Sequence, residues 1–258
     1  MPRFLGQHFL VNPAVAEKIV GYLELKNSET VIEIGSGGGA LTRPLLKKAE
    51  KNNATVIAIE KDEELVGDLK KSLPNSKRLK IIHGDILKVL PRLSKEFLVY
   101  KLVGNIPYYL TGYLLRTIGE LEYKPTVTIL TVQKEVAERI IAKAPDFNLL
   151  SASVQVWATA TLRETLPKTY FDPPPKVASA IIELGTRTKV LSENLPAYYR
   201  LVRGIFKQPR KTIFNNLRAH CTVSQEKLKE ILGKEGLAPD LRPQNLTLEM
   251  LISLSAYF

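Results

Sequence analysis

The sequence is poor in the residues that form disulfides and metal sites. Its 258 residues include one cysteine, Cys221, and three histidines. A single cysteine excludes an internal disulfide, and the scattered histidines do not complete a zinc ligand set around the adjacent His220 and Cys221. We interpret both residues as structural, expect no bound metal, and assign the chain to a reducing, cytoplasmic setting.

Long apolar stretches are absent as well. No run approaches the ~18–20 apolar residues that a membrane helix requires, and residues 1–8 lack the apolar core of a secretory signal. Apolar residues still make up 45% of the chain, and its mean hydropathy is −0.05. We therefore expect an ordinary packed core without membrane association, in one large domain or one domain with a smaller appendage.

Acidic residues are clearly outnumbered. The chain has 37 Lys plus Arg against 26 Asp plus Glu, a net charge of +11 and a pI near 9.6. Residues 185–258 hold 12 basic and 6 acidic side chains, whereas the preceding 184 residues hold 25 and 20. Such an excess favours a polyanionic partner, because each neutralised phosphate releases counterions. A basic soluble protein without such a partner has the same composition.

Six basic residues in the tail have no acidic residue between them. They are Arg200, Arg203, Lys207, Arg210, Lys211 and Arg218. The first five have the spacing of one face of a continuous helix, although Pro209 is predicted to break that helix and to start a second one near its own position. A solvated helix face is the usual meaning of such a run. The lack of any acid favours contact with RNA.

Strand-like and helix-like segments alternate along the first two thirds of the chain. Short apolar runs occupy residues 30–35, 55–60, 79–83, 98–103 and 126–130, and helices are predicted at 40–51 and 62–72. This alternation is typical of a parallel α/β sheet. Residues 154–162 and 178–184 are strand-like with no helix between them, which predicts an antiparallel hairpin at the sheet edge. From about residue 195 onward the pattern is helical.

A glycine-rich motif follows the first predicted strand. Glu33 begins the sequence Glu-Ile-Gly-Ser-Gly-Gly-Gly, in which Gly35 and Gly37 allow the backbone to turn sharply beside a ligand. Glu60 ends the next strand, where a carboxylate can accept ribose hydroxyls, and Asp85 follows the third, where an acceptor can bind an adenine amine. Glycine-rich turns are common, and nicotinamide enzymes share the pattern. The three carboxylates favour a cationic sulfonium ligand over a pyrophosphate.

A second motif follows the fourth predicted strand. Asn105 begins the sequence Asn-Ile-Pro-Tyr-Tyr, in which the Asn105 oxygen and the Pro107 carbonyl can each accept one hydrogen of an adenine amine. This contact exposes the nitrogen lone pair, and Tyr108 can stack on the flipped base. Phe171, before a stiff run of three prolines, is a candidate for the other face of the base. An ordinary turn and a buried linker Phe are the alternatives.

These motifs, in this order, resemble the KsgA-type family of ribosomal RNA adenine dimethyltransferases nearly end to end. The family's signatures correspond to Gly6-Gln7-His8-Phe9-Leu10 and to residues 133–139, 171–177, 206–217 and 242–248. The resemblance implies S-adenosylmethionine as cofactor, with contacts at His8, Leu10, Gly35, Glu60, Asp85 and Asn105. Two departures stand out. His8 stands where Asn is frequent, and residues 147–151 read Phe-Asn-Leu-Leu-Ser in place of Tyr-Gly-x-Leu-Ser.

The resemblance implies an α/β, Rossmann-like class I methyltransferase fold with a seven-stranded, mostly parallel sheet and a small all-α C-terminal domain. We expect residues 1–188 to form the methyltransferase domain and residues 189–258 to form a helical RNA-binding domain.

The implied activity is N6,N6-dimethylation of two adjacent adenines near the 3′ end of 16S ribosomal RNA. The substrate would be the 30S subunit or its precursor, the role would be in small-subunit biogenesis, and we expect a monomer. One alternative is an erythromycin-resistance-type 23S RNA methyltransferase, against which the tail signatures argue. The other is a non-catalytic RNA-binding assembly or transcription factor, against which the intact catalytic motifs argue.

Overall fold

The computed structural model describes residues 8–191 and 194–258. Gly6 and Gln7, which begin the N-terminal signature, lie outside this part of the chain. The strands are β1 (Phe9–Leu10), β2 (Thr30–Ile34), β3 (Thr55–Glu60), β4 (Leu79–His83), β5 (Lys101–Asn105), β6 (Val127–Gln133), β7 (Ala158–Leu166), β8 (Phe171–Asp172) and β9 (Ser179–Thr186).

The helices occupy the segments between the strands and most of the C-terminal third. They are α1 (Pro13–Tyr22), α2 (Thr42–Lys51), α3 (Glu63–Ser72), α4 (Ile86–Glu96), α5 (Thr111–Glu120), α6 (Lys134–Ile141), α7 (Leu149–Gln155), α8 (Leu195–Ile205), α9 (Ile213–His220), α10 (Gln225–Lys234) and α11 (Leu248–Ser255). None of the helices in the described ranges is long and apolar enough to cross a membrane.

Seven strands form the main sheet of the described residues, in the order β4-β3-β2-β5-β6-β9-β7. The pairs among β2 to β6 are parallel, and β9 pairs antiparallel with β6. This arrangement confirms the predicted seven-stranded, mostly parallel sheet. It also places β9 and β7 at one edge, where the sequence predicts a hairpin. The short strands β1 and β8 pair separately and antiparallel.

The central strands are buried on both faces, as parallel strands covered by helices are. Residues 56–59 of β3 are at most 1% exposed. At the end of β5, a Cβ on Gly104 would lie 2.9 Å from both the Cβ and the carbonyl oxygen of Ile34 on β2. Only glycine fits this close approach, and it sets the position of Asn105 beside the end of β2.

Three predicted strands have a limit that differs from the structure by three or more residues. The strand predicted at 98–103 starts at Lys101 in the structure, and Leu98 and Val99 before it are 54% and 71% exposed. The strand predicted at 126–130 extends to Gln133. Residues 154 and 155 end α7 instead of starting a strand, since Asn148 caps that helix and β7 begins at Ala158.

The chain divides into two compact units. Among the described residues, the first contains residues 8–137 and 160–186, and the second contains residues 138–159, 187–191 and 194–258. Within the second unit, the Tyr198 hydroxyl donates to the Ala152 carbonyl at 2.9 Å, and the Phe147 amide donates to the Gln244 carbonyl at 3.1 Å. The atypical segment 147–151 is therefore packed with the C-terminal helices.

The basic segment of the tail is not one helix. Helix α8 ends at Ile205 and α9 begins at Ile213, so two helices are separated at Pro209 as predicted, but the second starts four residues after the proline. The Thr212 side chain accepts from the Asn215 amide at 3.3 Å and caps α9. The buried Asn216 side chain donates to the Gln208 carbonyl at 3.0 Å, which holds the connecting turn in place.

Candidate cofactor and acceptor site

A cavity of about 760 Å³ lies at the carboxyl ends of the parallel strands. All eight residues predicted to bind the cofactor line it, namely His8, Leu10, Glu33, Gly35, Gly37, Glu60, Asp85 and Asn105. Two further predicted residues, Pro107 and Tyr108, line it too. The carboxyl edge of a doubly wound sheet is where such folds bind ligands, and here it brings both motifs to one site.

The glycine-rich loop uses backbone conformations that other residues rarely adopt. Gly35 has a φ of +64° and Gly37 a φ of +51°. A Cβ on Gly37 would also lie 3.2 Å from a ring carbon of Phe9. The Arg43 guanidinium holds the loop from outside, donating to the Gly38 carbonyl at 2.6 Å.

The Glu60 carboxylate joins the ends of two strands. One oxygen accepts from the Gly37 amide at 2.8 Å, and the other accepts from the amides of Lys61 and Asp62 at 2.8 and 3.0 Å. A carboxylate offers about four acceptor positions, so roughly one remains, on the oxygen that faces Gly37. Glu60 can therefore accept one ribose hydroxyl without losing a backbone contact, but not two.

Glu33 is the most deeply buried carboxyl of the cavity, at 1% exposed. Burial, with a smaller contribution from the charge of Glu60, raises the pKa of Glu33 to about 8, although the Thr42 hydroxyl donates to it at 2.7 Å and opposes that shift. Glu33 is thus largely neutral at pH 7 in the absence of a nearby positive charge.

Asp85 remains ionised. Its partial burial alone would raise its pKa, but hydrogen bonds from the Lys61 ammonium at 3.0 Å and the Leu87 amide at 3.0 Å hold that pKa below its ordinary value. Asp85 also caps α4. Lys61 belongs to no motif that the sequence reveals, although it directly follows Glu60.

The acceptor motif is fixed by its neighbours. The Asn105 side-chain nitrogen donates to the His8 carbonyl at 2.9 Å, and no donor among the described residues contacts its side-chain oxygen. The Pro107 carbonyl accepts from the Leu110 amide at 2.9 Å and keeps a second lone pair. Both residues line the cavity, and each keeps an acceptor atom with a lone pair for a further hydrogen bond.

Tyr108 is half-buried and held from two directions. Its hydroxyl shares a hydrogen bond of 2.8 Å with the Ser179 hydroxyl, and its ring centroid lies 5.4 Å from that of His8. Burial raises the pKa of Tyr108, so the phenol is neutral near pH 7. The His8 ring is held in turn by the Pro173 carbonyl at 2.7 Å.

Phe171 does not line the cavity, although it pairs with the predicted site residue Leu10 between β8 and β1. It is 3% exposed and packs in the hydrophobic core. Stacking on a base would require its ring to leave this core. In the structure, Phe171 supports strand β1, which carries Leu10.

The cavity is acidic overall. Four carboxyls line it, of which Glu33 is largely neutral and Asp85 is paired with Lys61, so Glu60 and Asp62 supply the unpaired negative charge. The Ser36 hydroxyl, 4% exposed, lines the cavity and has no hydrogen-bond partner among the described residues. A ligand with hydroxyls and a positive charge fits these groups, and a pyrophosphate does not.

The six basic residues predicted to bind RNA all lie in the second unit and are exposed. Arg200 and Arg203 are on α8, Arg218 is on α9, and the other three lie in the connecting turn. None of the six forms an ion pair with another residue in the described ranges. Their positive charge is not neutralised within this part of the molecule.

Comparisons with known proteins agree along nearly the whole chain. A family model described as "Ribosomal RNA adenine dimethylase" matches residues 2–256. The chain is 38% identical to "Ribosomal RNA small subunit methyltransferase A" of Dehalococcoides mccartyi strain CBDB1, covering 95% of this chain and 84% of that protein. It is 35% identical to the protein of the same name from Geobacillus sp. strain WCH70, covering 97% and 89%.

Two solved structures have the same fold. A dimethyladenosine transferase from Plasmodium falciparum superposes with a TM-score of 0.81 at 25% identity, covering 96% of each chain. The 23S rRNA methyltransferase ErmE superposes with a TM-score of 0.75 at 23% identity, covering 96% of this chain and 98% of its own. The likeness to ErmE concerns the fold alone.

Proposed function

Because this chain belongs to the ribosomal RNA adenine dimethylase family, we propose that it methylates the N6 amines of two adjacent adenines near the 3′ end of 16S ribosomal RNA. S-adenosylmethionine is the methyl donor, and the small subunit or its precursor is the substrate. The observation that carries this proposal is the acceptor pair of Asn105 and Pro107, which lines the same cavity as the acidic cofactor residues.

The cavity suits S-adenosylmethionine better than a dinucleotide. Glu60 retains one acceptor position for a ribose hydroxyl, and the unpartnered Ser36 hydroxyl offers a further polar contact. Asp85 is ionised and can accept from the adenine amine. The carboxyls of the cavity attract a cationic ligand, whereas a pyrophosphate would be repelled. When bound, the cofactor supplies an electrophilic methyl group.

The chain's own part in the reaction is to orient the adenine amine. Asn105 and Pro107 each accept one of its hydrogens. This contact directs the nitrogen lone pair away from the ring system and toward the methyl group to be transferred. Positioning of this kind can contribute several kcal/mol to a rate enhancement. Tyr108 supplies a fixed ring face for the extruded base, since His8 and Ser179 hold it.

A general base is not needed to activate the amine. Before each transfer the nitrogen carries its lone pair, and after the new N–C bond has formed it releases one proton to solvent. In the first transfer Asn105 and Pro107 each accept one amine hydrogen. In the second transfer the monomethylated amine has one hydrogen left, so only one of the two acceptors is used, and neither residue changes its protonation state.

The test is to incubate the protein with labelled S-adenosylmethionine and with separated, unmethylated small and large ribosomal subunits, and then to map the label by nucleotide. We expect two adjacent adenines near the 3′ end of the small-subunit RNA to carry it. Label on large-subunit RNA would favour the erythromycin-resistance type of activity. Binding of RNA and cofactor without label on either subunit would indicate a non-catalytic RNA-binding protein.

A further inference from the structure

Two exposed tyrosines at the cavity have no assigned role. Tyr109 and Tyr113 are 62% and 66% exposed, and both line the cavity. Neither ring contacts another aromatic ring or forms a hydrogen bond within the described residues. Exposing two large aromatic rings beside a binding site is unfavourable unless a ligand covers them.

Their position contrasts with that of Tyr108. Tyr108 is half-buried and restrained by Ser179 and His8, so it can offer only one face, toward the cavity. Tyr109 lies with Tyr108 in a short 3-10 helix (Tyr108–Leu110), and Tyr113 lies four residues further on, in the first turn of α5. Both exposed rings line the same cavity.

We propose that Tyr109 and Tyr113 form a stacking platform for the nucleotide covalently adjacent to the target adenine. The inference rests on the proposed function. An adenine that enters the cavity carries its neighbours to the rim, and every base has a π-face that an exposed tyrosine can bind. When two adjacent adenines are modified in turn, the neighbour in each round is the other adenine.

A basic side chain lines the same cavity as the two tyrosines. Lys61 is 69% exposed, and its ammonium is paired with Asp85 at 3.0 Å. Aromatic faces next to a basic group are the usual combination in proteins that bind single-stranded nucleic acid. This favours a nucleotide over an apolar protein segment as the occupant.

The test compares three variants with the wild-type protein: Y109A/Y113A, Y109F/Y113F, and the control Y123A. Tyr123 is 37% exposed and lies outside the cavity lining. Kinetics with unmethylated small subunits give KM and kcat, and calorimetry gives the Kd of S-adenosylmethionine. Loss of a stacked base should raise KM for subunits about 5- to 150-fold in Y109A/Y113A, with a smaller change in kcat. Y109F/Y113F and Y123A should resemble the wild type.

Three results would refute the proposal that Tyr109 and Tyr113 form a stacking platform. They are an unchanged KM in Y109A/Y113A, an equal loss in Y109F/Y113F, and a rise in the Kd of S-adenosylmethionine that accounts for the loss. The last would assign the tyrosines to the cofactor site. An inactive wild-type protein in the same assay would instead refute the proposed function, and the platform with it.

Discussion

Asn105 combines a fixed orientation with a free acceptor atom. Its nitrogen is held by the carbonyl of His8, a residue 97 positions away in the chain. Rotating the amide would break that hydrogen bond and turn a donor toward the substrate amine. The contact therefore explains how a side chain at the end of a strand can position a nucleophile.

We expect Asn105→Ala to abolish methyl transfer, because the acceptor that orients the amine is lost and no neighbouring side chain replaces it. Methyl incorporation into unmethylated small subunits measures the effect. The melting curve serves as the control for folding. Near-normal turnover in a folded Asn105→Ala protein would reduce the motif to an ordinary turn.

Two substitutions of Tyr108 distinguish the role of its ring from the role of its hydroxyl. Tyr108→Phe loses the hydrogen bond to Ser179, a net cost of about 0.5–1.5 kcal/mol in stability, but retains the stacking face. We expect it to keep most of its turnover, whereas Tyr108→Ala should lose about 1–3 kcal/mol of base binding. Equal turnover in the two variants would exclude stacking as the function of this residue.

Glu33 should make stability depend on pH. Its pKa is about 8 in the folded protein against an ordinary 4.5, so between these values the folded state binds more protons than the unfolded chain. The free energy of unfolding then decreases as pH rises through that window, by at most about 1.4 kcal/mol per pH unit. Glu33→Gln, which cannot ionise, should lack this contribution.

Denaturant unfolding of both proteins between pH 5 and 8 measures the difference, since all other groups are shared. The Glu33→Gln protein should gain stability relative to the wild type as pH rises. If the difference between the two proteins is the same at every pH, Glu33 does not titrate in this range.

At the scale of secondary-structure elements, Glu60 links the loops that follow β2 and β3. Its carboxylate accepts hydrogen bonds from three backbone amides in these loops. Glu60→Ala leaves these amides without their acceptor and removes the remaining acceptor position for a ribose hydroxyl. We expect S-adenosylmethionine binding to weaken by about 1–3 kcal/mol and the melting temperature to fall. Calorimetry and thermal unfolding measure the two effects.

A matched control distinguishes loss of binding from loss of stability. Asn12 caps α1, accepts from the Val15 amide at 3.1 Å, and does not line the cavity. Asn12→Ala should lower stability by about 0.5–2 kcal/mol and leave cofactor affinity unchanged. Unchanged affinity in Glu60→Ala would contradict the assignment of Glu60.

The strands also show which structural features sequence patterns can predict and which they cannot. Strands β3 and β4 match their predictions because each is a short apolar run bounded by polar residues. The β5 run contains apolar residues that lie outside the sheet, and its true limits follow from pairing with β2, where Lys101 is opposite Val31. The Lys101 ammonium is buried there against Glu29 at 2.7 Å, a partner 72 residues away that no local pattern reveals.

The candidate site likewise has features that the sequence predicts and features that only the structure reveals. Sequence motifs were sufficient to identify the residues at the strand ends, since the topology of a parallel sheet brings those ends together. They could not show that three of the acceptor positions of Glu60 are used by the backbone, or that Phe171 packs in the core. Both depend on contacts between segments far apart in the chain.

At the scale of the whole molecule, the cavity and the predicted RNA-binding residues lie in different units. The cavity is lined by residues of the first unit alone, and its carboxyls suit a cation. The six exposed basic residues predicted to bind RNA lie in the second unit, three of them in the turn between α8 and α9. We propose a division of labour, in which the first unit binds the cofactor and these six residues contribute to RNA binding.

The proposed role of the second unit in RNA binding can be tested by removing positive charges from the turn between α8 and α9. Replacing Arg210 and Lys211 with Gln removes two unpaired positive charges from the turn. We expect weaker binding to unmethylated small subunits and a slope of log K against log salt that flattens by about 1–2. Cofactor affinity should stay unchanged.

The control is Lys227→Gln with Lys234→Gln on α10, which changes the net charge equally. Both of these lysines are already paired with Glu230, at 2.9 and 2.8 Å, so they are less available to phosphates. If net charge alone governs RNA binding, the two double variants will have the same salt slope. If the turn contacts phosphate, only the Arg210 and Lys211 variant will flatten it. An unchanged slope in that variant would leave the turn as a solvated surface, and RNA binding would have to come from other residues.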